Sequence, residues 1–328
     1  MEPIPNTHYP ITACSISRPT HELLQRTPFT AHVLAVFDQA CDLITPDCNV
    51  VALVTPQAGN GPLNIVVEGR PGLFASLSPG TVAIWHAANL QIGRWRIHLG
   101  KATTWEPCPA WNVLRNQRDA IVRRLPTLQA IALQHAPAAS LLILALQGVA
   151  VGQASLLPDS AVFRKTQTAL QAGWGGDLAQ LEKGTIQLAG LGSGLTPAGD
   201  DFLIGMMLWA WLAHPKPNAF CHTIIQAGAS RTTTLSAAFL WATSRGECSA
   251  AWHRLLATLG SGVDGELEAA TRQVLAHGAT SGADTLAGFL WAGQACGACC
   301  SPTQRPARAW PGWKQRTIMC LRRSCVCC

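Results

Sequence analysis

Gly190-Leu-Gly-Ser-Gly-Leu-Thr-Pro-Ala-Gly-Asp-Asp201 places four glycines within ten residues and runs directly into the apolar stretch Phe202-Leu-Ile-Gly-Met206. This pattern predicts a tight, ligand-hugging turn followed by a helix, with Thr196 as N-cap and Pro197 at the first helical position. A glycine-rich turn feeding a helix N-terminus leaves backbone N–H groups unpaired and aimed at one spot, which favours an anion. Asp200 and Asp201 would repel a bare anion there. They point instead to a metal, an amide-bearing substrate or a proton-transfer role beside the anion pocket.

Outward from this stretch, helical periodicity dominates the second half of the chain. Helices are predicted over 117–135, 161–172, 200–212, 223–229, 234–243, 252–259, 264–277 and 284–293. The first third reads differently. Short β-rich runs at 32–37, 49–55, 63–68, 81–85 and 95–99 are separated by turn signals such as Ala58-Gly-Asn-Gly-Pro62 and Ser78-Pro-Gly80. Strands so spaced, with no long helix between them, suggest an antiparallel sheet or a small barrel. The expected class is α+β: an N-terminal antiparallel β-rich domain over residues 1–108, then an all-helical domain over 109–298. A Cys/Arg-rich tail, expected to be disordered, covers 299–328.

The chain has 328 residues, 48% apolar and 13% charged, enough for two ordinary cores. Its net charge of +6 misleads, because Arg305, Arg308, Lys314, Arg316, Arg322 and Arg323 lie in a tail without acids. The remainder is neutral, so no basic surface for nucleic acid is expected. The cysteines are equally lopsided, with seven of thirteen among the last 33 residues. Cys296-x-x-Cys299 with Cys320 and Cys325 has the wrong second spacing for zinc, and the six cysteines before the tail are expected to be reduced, apolar-like thiols. The longest apolar helix candidate, Phe202 to Ala213, is too short to span a bilayer, and the N-terminus has no secretory pattern. A cytoplasmic protein without membrane partners is expected.

Two further helix starts resemble the first. Gly278-Ala-Thr280-Ser-Gly-Ala-Asp284 repeats the Gly-x-Thr-x-x-x-Asp pattern of Gly194 to Asp200 at a distance of 84 residues, and each copy leads into a helix with an interior glycine, Gly205 or Gly288. Capping accounts for Thr and Asp. It does not account for the glycines, which cost helix stability unless a backbone must approach closely. Ser230-Arg-Thr-Thr-Thr234 forms a third start, either an anion grip of hydroxyls and an Arg fork or a plain Thr cap beside a surface Arg.

Taken together, Gly192-x-Gly-Leu-Thr-Pro-x-Gly-Asp-Asp201, Arg231-Thr-Thr233 with Leu235-Ser236, and Thr280-Ser-Gly-x-Asp284-x-Leu-x-Gly288 resemble the AllH family. Gly59-Asn-Gly-Pro62 and Trp105-Glu-Pro107 in the β-rich part also look like that family, and the resemblance covers roughly 25–297. It implies a subunit of oxamate carbamoyltransferase in anaerobic allantoin breakdown. The reaction would be oxalurate plus phosphate giving oxamate plus carbamoyl phosphate, with further carbamoyltransferase subunits as partners. On this reading Gly192, Gly194, Thr196, Gly199, Arg231, Thr232, Thr233, Thr280 and Ser281 bind anionic substrates. Asp200, Asp201 and Asp284 are the candidate catalytic groups, contacting a carbamoyl amide or holding Mg²⁺ as a candidate cofactor. Two other readings stay open: a non-catalytic metabolite-binding or scaffold subunit, and a Mg-dependent phosphotransferase. No Gly-Lys-Ser/Thr follows the loop, so it is not a P-loop.

Overall fold

The computed structural model describes residues 9–25, 29–86, 88–147, 160–262 and 264–297. The Cys/Arg-rich tail expected to be disordered lies outside the described residues.

The N-terminal part contains β1 (Tyr9–Ser17), α1 (Arg18–Gln25), β2 (Phe29–Val36), β3 (Ala40–Ile44), β4 (Val50–Val54), β5 (Asn64–Val67), β6 (Val82–His86), β7 (Asn89–Ile92), β8 (Trp95–His98) and β9 (Thr103–Trp105). Strand order is β5-β4-β3-β2-β6-β7-β8-β1, and a β5–β1 pairing closes the ring, so eight strands form a barrel with β9 added beside β1. This corrects the expectation of an antiparallel β-rich domain, although the α+β class holds. The ring is closed and its pairing is mixed: β1 runs parallel to β8 and β9, β4 runs parallel to β5, and β1 meets β5 antiparallel. The closing strand, Tyr9-Pro-Ile-Thr-Ala-Cys-Ser-Ile-Ser17, is rich in small polar residues and carries a proline, so its sequence lacks a strong strand signal. With it in place neither end of the array is an open edge.

Alternation sets what faces inward. Along β6, Ala83 and Trp85 are buried while Val82, Ile84 and His86 are exposed. Ile11, Val33, Leu43, Leu53, Ile65, Ile92 and Ile97 fill the barrel with Trp85, whose indole Nε1 donates to Leu24 O of α1 at 2.8 Å. β4 is buried on both faces, as its uninterrupted apolar sequence requires. Val51 and Leu53 point into the barrel, whereas Val50 packs with Leu63 against Leu235 of the helical part.

The helical part comprises α2 (Trp111–Asn116), α3 (Arg118–His135), α4 (Leu141–Gln147), α5 (Ser160–Trp174), α6 (Leu178–Leu188), α7 (Ala198–Ala213), α8 (Pro217–Gly228), a 3-10 turn (Ala229–Arg231), α9 (Thr234–Ser244), α10 (Ala250–Ser261), α11 (Asp264–Leu275) and α12 (Ser281–Gly297). Helix α7 is apolar on every side and sits at the centre, its Phe202, Met206, Trp209 and Leu212 almost wholly removed from water. Its chief neighbour is α12. A Cβ on Gly205 would lie 1.9 Å from Thr285 O, and one on Gly288 would lie 1.9 Å from Phe202 O. The two interior glycines are therefore the mutual contact point of crossing helices. No helix among the described residues is long and apolar enough to cross a membrane.

The barrel meets the helices through the two front-half stretches that carry the family resemblance. Asn60 O accepts the N–H of Ala250, an orphan donor in the first turn of α10, and Asn60 Oδ1 accepts from Ser15 Oγ at 2.6 Å. Pro107 O accepts from Cys248 N at 2.9 Å and pairs with His253 Nε2 at 3.0 Å, while Trp105 packs on the His253 ring.

Candidate functional site

The glycine-rich turn begins where α6 ends. Gly190, Gly192 and Gly194 all adopt positive φ (76°, 114° and 94°), a region that L side chains rarely occupy. At Gly190 there is no room for a side chain either, since a Cβ would sit 2.5 Å from Arg231 O. The loop backbone from Gly192 to Gly194 is exposed, and the N–H groups of Gly192 to Thr196 make no hydrogen bond among the described residues. Successive free N–H groups on a backbone that alternates in handedness form a concave anion-binding nest.

Helix α7 starts at Ala198, with Pro197 in the N-cap position and no side-chain cap. The expectation of Thr196 as N-cap is thus corrected. Its hydroxyl turns away from its own helix and meets Ser281 Oγ at 2.8 Å, joining the starts of α7 and α12. The third start arrives through two contacts: Thr233 Oγ1 donates to Leu195 O, and Thr232 Oγ1 donates to Asp200 Oδ2. Thr233 also caps α9, accepting from Ser236 N at 3.1 Å. Three helix N-termini that the sequence could only compare therefore share one location.

Asp200 is the knot between them. It is fully buried, Oδ1 accepts from Gly190 N at 3.0 Å, and Oδ2 accepts from Ser236 Oγ at 2.9 Å as well as from Thr232. Burial raises its pKa against the opposing pull of these three donors. Ser236 was quoted in the family motif but was not among the expected site residues. Its signal is a hydroxyl just after a Thr cap, in an otherwise apolar helix face.

Asp201 and Asp284 behave differently. Burial pushes Asp201 well above the usual carboxylate range, and the negative charges of Asp284 and Asp200 push the same way. A hydrogen bond with the Ser281 side chain opposes them. Asp284 is raised to about 6 by burial, against donors at Leu141 N and Thr280. The Leu141 bond measures 2.6 Å and caps α4 from another helix. Each of the two carboxyls keeps one buried oxygen, Oδ2, without a partner. Burial favours the protonated form of each, although Asp284, at about 6, still gives up its proton by neutral pH.

The internal echo also changes register. By sequence, Asp200 matches Asp284. In the fold, Gly205 and Gly288 are the matched crossing points, as are Phe202 and Thr285, and both pairs are 83 residues apart. Gly199 and Gly282, pressed against Leu188 O and Val274 O, have the same separation. In that frame Asp284 corresponds to Asp201. Asp200 is the extra residue that ties in the Gly190 loop and α9.

Arg231 ends the 3-10 turn with an exposed side chain, and no ion pair to it occurs among the described residues. No group of three or more His, Cys, Asp or Glu side chains that could hold a metal occurs among the described residues.

Residues 188–293 match the family model described as oxamate carbamoyltransferase subunit AllH, and residues 12–104 match that of the AllH family N-terminal domain. The first match spans all three helix starts and the second covers most of the barrel. No solved structure matches the chain.

Proposed function

We propose, from the premise that this chain belongs to the AllH family, that it is the oxyanion-holding subunit of an oxamate carbamoyltransferase, a role it fills through the loop from Gly192 to Thr196. The observation that carries this reading is the run of unpartnered N–H groups in that loop, with the backbone of Arg231 pressed against Gly190 and its exposed side chain in no ion pair among the described residues. Phosphate or carbamoyl phosphate would sit on these donors, with Gly192, Gly194, Thr196 and Arg231 as its main contacts. Gly199 shapes the turn, and Thr232 and Thr233 hold it against α9.

In the phosphorolytic direction a phosphate oxygen attacks the ureido carbon of oxalurate. The new carbon–oxygen bond makes carbamoyl phosphate, the carbon–nitrogen bond breaks, and the released nitrogen of oxamate takes a proton. Such a transfer needs positioning and charge stabilisation more than a protein nucleophile. Asp201, whose proton burial holds to higher pH than an ordinary carboxyl keeps it, is suited to supply the proton through Ser281 and Thr196, whose hydroxyls lead from it to the loop. Asp200 positions the three starts rather than reacting. Thr280 and Asp284 hold the start of α12 and cap α4.

A second reading, an anion-binding subunit whose partner performs the chemistry, is favoured by the inaccessible Oδ2 atoms of Asp201 and Asp284. One experiment addresses both. Isolated chain is melted in phosphate and in chloride of equal ionic strength, and oxalurate phosphorolysis is then measured with and without it in the assembled enzyme. A phosphate-specific rise in Tm, with activity that requires the chain, supports the proposal. No phosphate shift, and full activity without the chain, overturns it. Asp201→Ala separates the readings: lost turnover with intact phosphate binding assigns the proton step to this chain, and unchanged turnover assigns it to a partner.

A further inference from the structure

Cys108 and Cys248 lie on opposite sides of the joint between barrel and helices. Cys108 belongs to the linker Pro107-Cys-Pro109, and Cys248 to the loop between α9 and α10. The backbone bond from Cys248 N to Pro107 O, 2.9 Å long, ties Cys248 to the residue immediately before Cys108, and the two thiols are close enough to interact electrostatically. A disulfide needs Cα atoms about 4.4–6.8 Å apart, and residues flanking a single backbone hydrogen bond approach to that range. The Cys108 thiol turns toward the Cys248 loop, with Sγ 3.7 Å from Arg245 O.

The loop is also held still. Gly246 N bonds Thr243 O, Glu247 N bonds Ala242 O, and Trp111 Nε1 donates to Gly246 O at 2.8 Å. Arg245 clamps Glu247 through two contacts, at 2.6 and 3.0 Å. Glu247 is nearly buried, so this pair is fixed rather than flickering. A preorganised partner raises the effective concentration of one thiol at the other.

We infer that Cys108 and Cys248 form a dithiol oxidation site, at which a small-molecule disulfide converts the two thiols to an intramolecular disulfide that staples the linker to the helical part. Cys108, the more accessible of the two, attacks one sulfur of the oxidant and expels the first thiol. Cys248 then attacks the Cys108 sulfur and expels the second. One oxidant disulfide is reduced to two thiols, which take up the two protons lost by the protein. The other cysteines whose side chains are described lie elsewhere: Cys41 is inside the barrel, Cys221 is inside the helical core, and Cys14 and Cys48 lie on the barrel.

Burial raises Cys108 to about 11, with Glu247 and Glu106 raising it further and Arg245 opposing, and Cys248 is raised by burial, Cys108 and Glu247. Reaction with a disulfide oxidant is therefore slow at neutral pH and accelerates close to tenfold per pH unit up to about 9, as the thiolate fraction grows. The test treats full-length chain with oxidised glutathione at pH 7 and pH 9 and maps a non-reduced digest by mass. The expected result is a Cys108–Cys248 cross-linked peptide, formed faster at pH 9, together with a rise in Tm that Cys248→Ser abolishes. Glutathione retained on Cys108 in the wild type, with no cross-link to Cys248, overturns the inference. Cross-links of Cys108 only to tail cysteines also overturn it.

Discussion

The hydroxyls of Thr196 and Ser281 meet at 2.8 Å, although 85 positions separate them in the chain. That contact joins the first turns of two helices that cross lower down through Gly205 and Gly288. It brings the two helix starts together beside the buried Asp201 carboxyl. The predictions below test the parts of that arrangement separately.

Asp200→Ala strands Thr232, Ser236 and the Gly190 N–H around a hole. A loss of about 2–4 kcal/mol is expected, since buried donors left without an acceptor cost their desolvation. Asp200→Asn retains one acceptor oxygen and loses less. Urea denaturation measures both, and an unchanged midpoint for the alanine variant would remove Asp200 from its role as the knot.

Gly288→Ala forces a methyl carbon to within 1.9 Å of the Phe202 carbonyl, so α7 and α12 must separate. Overpacking of this kind costs about 1–3 kcal/mol or more. Gly265→Ala, which meets nothing within 4 Å, serves as the control and leaves stability unchanged or slightly raised. Equal melting temperatures for the two variants would contradict the close helix crossing.

Two buried carboxyls lower stability as pH rises through the mildly acidic range, against His214, His253 and His277, whose lowered pKa values act in the opposite sense. The unfolded carboxyls ionise near pH 3.9, whereas Asp284 is raised to about 6 and Asp42, buried on β3, to about 7. Between those values the native state holds more protons than the unfolded chain, so the unfolding free energy decreases with pH, at about 1.4 kcal/mol per unit for each such group. The contribution is fully present below pH 3.9 and is lost as pH passes each raised value. Asp42→Asn should flatten the wild-type slope between pH 4 and 7, measured by urea midpoints. A slope as steep as in the wild type would show that Asp42 ionises normally.

Arg231→Ala should leave Tm unchanged, because the side chain is exposed and forms no ion pair among the described residues. In the assembled enzyme it should raise the KM for phosphate roughly tenfold, the loss of one charge-assisted contact of about 1.4 kcal/mol. Arg231→Lys should recover part of that loss. An unaltered phosphate KM would exclude Arg231 from the anion site.

Much of the helical part was legible in the chain itself. The periodic stretches at 117–135, 200–212 and 234–243 coincide with α3, α7 and α9, because each carries strong apolar periodicity or a clear cap. Short helices such as α2 and α4 carried too few turns to register, and α6, although as long as α9, was not anticipated either. Five β runs were visible, but β1, β3, β7 and β9 were not, and without β1 nothing in the sequence announces closure. At the site, residue types and their spacing marked the three helix starts. Ser236 showed only as a hydroxyl just after a Thr cap, and Leu141 contributes through a contact that no local pattern encodes.

Local chemistry accordingly determined the elements and the motifs: glycines where the backbone must turn left-handed, Thr beside helix starts, Asp in first turns, and an apolar helix at the centre. Only tertiary structure decided that the strands close into a barrel and that three helix starts converge. It also decided that Asp284 answers to Asp201 while Asp200 binds the parts together. The reason is that burial and long-range hydrogen bonding depend on which segments meet. Two adjacent aspartates look alike in a sequence, yet in the fold one accepts three donors and the other keeps a buried oxygen without a partner.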